Sequence, residues 1–168
     1  VRFDTTTSCR KNKALQGGGG CLLWEPKAEN LEDGKWKTLE PMIESVSLMV
    51  DNEAAYGTSL ATPGASLVPV EDTSTRGGMP MTTNEQNILA PRYPKIELID
   101  WYGSIVRGVF AQNIQVTAKL SNSNAKLFGA STTTTNSMGT VLFDELGIQG
   151  IPGSGPHAMY FESHVSNG

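Results

Sequence analysis

The chain has 168 residues, of which 18% are charged, with a formal net charge of −4, 18 glycines and abundant Ser and Thr. That length can bury one large core or two small ones, and the composition is too apolar for disorder and too poor in charge for a typical helical cytosolic protein. The acidic balance argues against nucleic acid as a partner, because phosphate binding needs a basic face, and no apolar run approaches the roughly 20 residues of a membrane span.

The chain opens on Val1-Arg2-Phe3-Asp4-Thr5-Thr6-Thr7, a strand pattern with no local partner. Its period of two places Val1, Phe3, Thr5 and Thr7 on one side. A first residue of Val rather than Met marks either a processed product or a missing start, and no signal-peptide pattern is read there. The short basic cluster Arg10-Lys11-x-Lys13 reads as a solvated loop. Cys9 and Cys21 are the only cysteines and flank the run Gly17-Gly18-Gly19-Gly20. We expect them to form a disulfide, and hence an oxidising compartment, since a metal site needs more ligands and His157 and His164 are remote.

Four consecutive glycines invite a phosphate-loop reading, but Cys21-Leu22-Leu23-Trp24 follows them as a strand where such a loop needs a helix N-terminus. A closely packed turn is the expectation. Residues 26–40 lack an apolar stripe and read as loop, and residues 43–50 as a strand with Val46, Leu48 and Val50 on one face. Residues 65–70 form an edge strand, because Pro69 cannot donate to a ladder. From 71 to 92 periodicity is lost, which predicts a long connection and a domain boundary.

Beyond it, Ile96, Leu98 and Asp100 alternate with Lys95, Glu97 and Ile99, before a turn at Trp101-Tyr102-Gly103-Ser104. Residues 113–120 are the cleanest strand, with Ile114, Val116, Ala118 and Leu120 on one face. Ser121-Asn122-Ser123-Asn124 is a turn, followed by strands at 126–128, 141–143 and 158–165, the last with Met159, Phe161 and Val165 on one face. The run Thr132, Thr133, Thr134, Thr135 is either a β-prone edge strand or a candidate site of O-glycosylation, and no Asn-x-Ser/Thr sequon occurs. About six strands lie between Lys95 and Val165, against roughly seven in a complete immunoglobulin sandwich.

This second half resembles bacterial-type and filamin-like immunoglobulin repeats of large extracellular proteins. The matching residues are Pro94-x-Ile96-x-Leu98-x-Asp100-x-Tyr102-Gly103-x-x-Val106, then Gly139-Thr140-Val141-x-Phe143-x-x-Leu146-x-Ile148, then Tyr160-Phe161. Residues 17–24, with Asn52-x-Ala54-x-Tyr56-Gly57 and Ala61-Thr62, look like the Gly-rich β modules that precede such repeats in large algal and microbial surface proteins. In those repeats the aromatic run is followed by one further strand, which this sequence lacks. The resemblance therefore implies an all-β chain with a donor strand at 1–8, a Gly-rich β region with its connection at 9–92, and an immunoglobulin-like sandwich at 93–168 lacking its last strand. The assembly this suggests is similar to donor-strand exchange in pili: Val1, Phe3, Thr5 and Thr7 enter a cleft formed by Ile114, Val116, Ala118, Leu120, Met159, Phe161 and Val165 of a neighbouring copy.

No catalytic constellation is expected. Gly153-Ser154-Gly155 lies in a Pro-rich loop and not on a nucleophile elbow, and Asp51 with Glu53, or Asp144 with Glu145, lacks the spacing of a calcium loop. No cofactor is expected. Trp24, Trp36, Trp101 and Tyr102 are candidate stacking residues for glycans, with buried anchors the commoner role. The sequence thus predicts an extracellular fibril subunit whose partners are copies of itself, with a carbohydrate- or protein-binding surface module as the alternative.

Overall fold

The computed structural model describes residues 2–3, 8–25, 40–43, 49–70, 87–89, 94–121, 123–151, 153–154 and 157–164, with the backbone alone at 2–3, 87–89 and 164. The described chain is nearly all β and divides into two compact units, Val1–Ala65 with Ile99–Phe110 and Ser66–Leu98 with Ala111–Gly168.

In the first unit the chain makes two passes side by side. The first pass contributes β1 (Arg2–Phe3), β2 (Cys9–Arg10), β3 (Lys13–Gly18) and β4 (Leu22–Leu23). The second contributes β5 (Met42–Ile43), β6 (Met49–Val50), β7 (Glu53–Tyr56) and β8 (Leu60–Ala61). Each strand of the first pairs in parallel with its counterpart in the second. Partners run from Arg2↔Met42 to Ala14↔Ala54 at one constant offset, and from Gly18↔Tyr56 to Leu23↔Ala61 at an offset two residues shorter. The two extra residues of the first pass fall at the register shift between Ala14 and Gly18.

The backbone repeats with the same offsets. Lys11 and Asp51 both take a left-handed conformation, at φ 55° and 56°, and Gly19 and Gly57 do so at 67° and 53°. Left-handed non-glycine residues are uncommon, so their recurrence at matched positions identifies the passes as two turns of one structural repeat. The glycine run permits their contact. A Cβ on Gly18 would lie 2.4 Å from the Tyr56 ring and 2.6 Å from the Ala61 methyl. The expected closely packed turn is found at Gly19-Gly20, while Gly17 and Gly18 belong to β3.

One expectation is corrected here. The first strand has no local partner, as expected, but it is not free, because Arg2–Phe3 pairs with Met42–Ile43 of its own chain. A partner forty residues away is invisible to any local pattern. Val1, Thr5 and Thr7 lie outside the described residues.

The second unit contains β9 (Ser66–Pro69), β10 (Asn87–Leu89), β11 (Lys95–Ile99), β12 (Gln115–Leu120), β13 (Ala125–Phe128), β14 (Thr132–Thr134), β15 (Thr140–Leu142), β16 (Gly147–Gly150) and β17 (Met159–His164). They form three sheets of three strands, in the orders β15-β11-β9, β14-β12-β17 and β10-β16-β13. The predicted alternation is what builds its core. Ile96, Val116, Ala118, Val141, Phe143 and Leu146 are buried together, with Leu67, Leu127, Met159 and Phe161 packed against them. Pro69 lies on an edge strand, as its missing N–H requires.

Two further expectations change. Seven described strands, not six, lie between Lys95 and His164. The uncounted one is β16, which a period-two reading misses because glycine stands at both its ends. The stretch 71–92 is not wholly a connection, since Asn87–Leu89 pairs antiparallel with Gly147, Ile148 and Gln149. A three-residue strand shows too little periodicity to read. The chain passes from one compact unit to the other between Ala65 and Ser66, inside β11 between Leu98 and Ile99, and between Phe110 and Ala111 in a 3-10 turn.

Candidate functional site

The disulfide, an asparagine pair and a lysine–glutamate pair lie on the two-pass ladder of the first unit. Cys9 and Cys21 are joined by a disulfide, with Cα atoms 5.8 Å apart, so the expected pairing is present. It closes the first pass on itself around β3. Closing a loop of this size contributes about 3 kcal/mol by restricting the unfolded chain. Cys9→Ser/Cys21→Ser should therefore lower unfolding free energy by about 2–4 kcal/mol, read as a fall in the thermal midpoint. An unchanged midpoint would mean that the disulfide closes nothing the unfolded chain had free.

Asn52, 8% exposed, staples the passes together. Its Oδ1 accepts from the Asn12 backbone N–H at 3.1 Å and from Asn12 Nδ2 at 3.2 Å, and its Nδ2 donates to the Cys9 carbonyl at 3.1 Å. One residue on, Lys13 Nζ meets Glu53 Oε2 at 2.9 Å, both side chains more than half exposed. Asparagine therefore lies beside asparagine and lysine beside glutamate across the same strand pair.

Asp100 organises the end of the second pass. It is 2% exposed, and its carboxylate accepts from the backbone N–H groups of Tyr102 (3.0 Å), Ser104 (2.8 Å) and Thr62 (3.3 Å). The Tyr56 hydroxyl donates to the Thr62 carbonyl at 2.9 Å. Burial, with the Asp100 charge adding to it, pushes the Tyr56 phenol up to about 12. Beyond the turn, Trp24 Nε1 donates to the Tyr102 hydroxyl at 2.9 Å. Burial raises the Tyr102 pKa, and this hydrogen bond partly opposes the rise. A hollow of about 340 Å³ is lined by Gly57, Thr58, Ser59, Leu60, Tyr102 and Ser104.

The residues expected to form the acceptor cleft belong to the second unit. Val116 and Ala118 are fully enclosed by side chains of their own unit, Met159 and Phe161 pack on the same core, and Ile114 and Leu120 are half-buried. Their strand β12 pairs with β17 along Gln115–Leu120 and with β14 along Gln115–Thr117, so both of its edges are taken over Gln115–Thr117. Val165 lies outside the described residues.

The Thr run is resolved residue by residue. Thr132–Thr134 is an edge strand of its sheet, with Thr132 and Thr134 exposed and Thr133 half-buried. Thr135 is 4% exposed, accepts from the Ile114 N–H at 3.0 Å and donates to the Ala111 carbonyl, which removes it as a glycan acceptor in the folded chain.

Ser154 Oγ lies 3.2 Å from His157 Nε2. Its hydroxyl donates to the Ile151 carbonyl at 2.6 Å. Among the described residues no three His, Cys, Asp or Glu side chains gather to hold a metal ion. Trp101 donates its backbone N–H to Thr62 Oγ1 at 3.0 Å, and Trp36 lies outside the described residues.

No family model, curated protein or solved structure matches this chain. The functional reading therefore rests on the geometry above. Sequence reasoning passed over the role of Asn52, and it quoted Asp100 beside the Gly103 turn without naming what it binds. For Asp100 the signal was available, because a carboxylate in phase with Ile96 and Leu98 on a buried face must find donors, and the Gly103 turn supplies them.

Proposed function

We propose that this chain is a structural subunit of an extracellular fibril, its copies associating through β-strand edges, with the second unit built as an immunoglobulin-like sandwich. The observation that carries the reading is the parallel ladder. Two turns of one repeat lie strand against strand, and among the described residues neither has a strand on its other edge. Unpaired edges of this kind are templates for association unless they are blocked. The Cys9–Cys21 disulfide supports an oxidising compartment. The pairing of Arg2–Phe3 within its own chain weighs against donation of that strand, so strand exchange is the less favoured form of contact.

Sedimentation velocity and negative-stain imaging across a concentration series test this. Filaments or a ladder of oligomers that grows with concentration are expected. A single monomeric species throughout would remove the fibril reading.

A second reading, a carbohydrate-binding module of a larger surface protein, is favoured by the hollow that Tyr102, 37% exposed, lines together with Thr58, Ser59 and Ser104. On that reading Tyr102→Ala should abolish binding on a glycan array while leaving the oligomeric state unchanged. Wild-type protein that binds no glycan would dismiss it.

A further inference from the structure

The relation between the two passes can be applied once more. Over residues 9–14 and 49–54, going from the first pass to the second moves the chain sideways by one strand spacing while keeping direction, register and the left-handed positions at Lys11 and Asp51. Nothing in that operation is specific to a covalent connection. A strand in a parallel ladder points alternate backbone groups to both sides, so the inner edge of one pass and the outer edge of the other present the same pattern.

We propose that the outer edge of the first pass docks on the outer edge of the second pass of another copy, head to tail. This rests on the fibril reading and specifies its contact. Asn12, Lys13 and Ala14 of one copy then lie beside Asn52, Glu53 and Ala54 of the next, repeating between copies the pairs made within one.

Charge decides for a copy over an unrelated strand. The order along the stack becomes lysine, glutamate, lysine, glutamate, so each charge has an opposite neighbour on both sides. Stacking two first passes, or two second passes, would instead set lysine on lysine or glutamate on glutamate. Like charges directly opposite are unfavourable in a sheet, which fixes the polarity of the stack. The asparagine pair extends in the same way into a side-chain ladder, a recognised support of in-register parallel stacking. A contact between two different edges is heterologous and leaves a free edge at each end, so growth continues unless the rotation closes a ring.

The test mixes two single-cysteine proteins, Lys13→Cys and Glu53→Cys, and treats them with a short bismaleimide linker, which leaves the Cys9–Cys21 disulfide untouched. Cross-linked heterodimers are expected in clear excess over homodimers of either variant alone. Separately, Lys13→Glu should weaken self-association by about threefold to tenfold, since an exposed attraction becomes a repulsion, and Lys13→Glu/Glu53→Lys should restore it. Circular dichroism confirms that each variant is folded. If the protein forms filaments but the mixed variants give no excess of heterodimer, the ladder contact is wrong and the fibril reading stands. If every sample stays monomeric, the fibril reading fails and this contact fails with it.

Discussion

Replacing Asp100 with Ala should destabilise the first unit by about 3–5 kcal/mol, because a buried carboxylate serving three backbone donors disappears at once. The three N–H groups belong to Thr62, Tyr102 and Ser104, and the carboxylate that accepts from them is 2% exposed. A methyl group accepts nothing. Each amide must find water or remain unsatisfied, and a hydrogen bond to a charged group is worth about 1.5–3 kcal/mol. The losses do not add fully, because the turn can open and admit water once its anchor is gone. Asp100→Asn keeps the shape and one acceptor but turns an NH₂ towards a donor, so about half the loss is expected. Hydrogen exchange locates the effect: the amides of Thr62, Tyr102 and Ser104 should lose protection in Asp100→Ala before the ladder amides do. A variant that keeps those amides protected and melts within about 1 °C of wild type would show that the carboxylate is not what holds the turn.

The same residue shows where sequence reading stops. Its burial was legible, since Ile96, Leu98 and Asp100 share a phase, and all three are buried. Its partners were not, because Thr62 lies 38 residues away and no local pattern names it. The second unit was readable where a strand has one wet and one dry face. In β12 Val116 and Ala118 are buried while Gln115 and Lys119 are exposed, and the alternation states this directly. It was unreadable at β16, where glycines carry no face, and at β10, which spans three residues. In the first unit the disulfide could be read because two cysteines allow one pairing. The ladder could not. Its passes share Asn-x-Ala at 12–14 and 52–54, but two extra residues in the glycine run break the repeat before it can be aligned.

Phe143→Ala should cost the second unit about 3–5 kcal/mol, whereas Leu142→Ala, one position earlier, should change stability by no more than about 0.5 kcal/mol. The contrast follows from strand geometry, since successive side chains point to opposite faces. Phe143 is 1% exposed and sits in the cluster with Ile96, Val116, Ala118, Val141 and Leu146. Its ring centroid is 5.3 Å from that of Phe161, tilted by 40°, a contact that contributes about 0.5–1.5 kcal/mol beyond the area it buries. Truncation removes the ring and leaves a void, which nearby side chains fill only in part. Leu142 is 50% exposed, so its truncation removes little buried surface. Urea unfolding followed by circular dichroism should give a much lower midpoint for Phe143→Ala and nearly superimposable curves for Leu142→Ala and wild type. Equal losses in the two variants would mean that the strand is turned over or slipped by one residue. Every inward side chain of β15 would then face water, and the packing of Val141 and Phe143 against β12 would have to be abandoned.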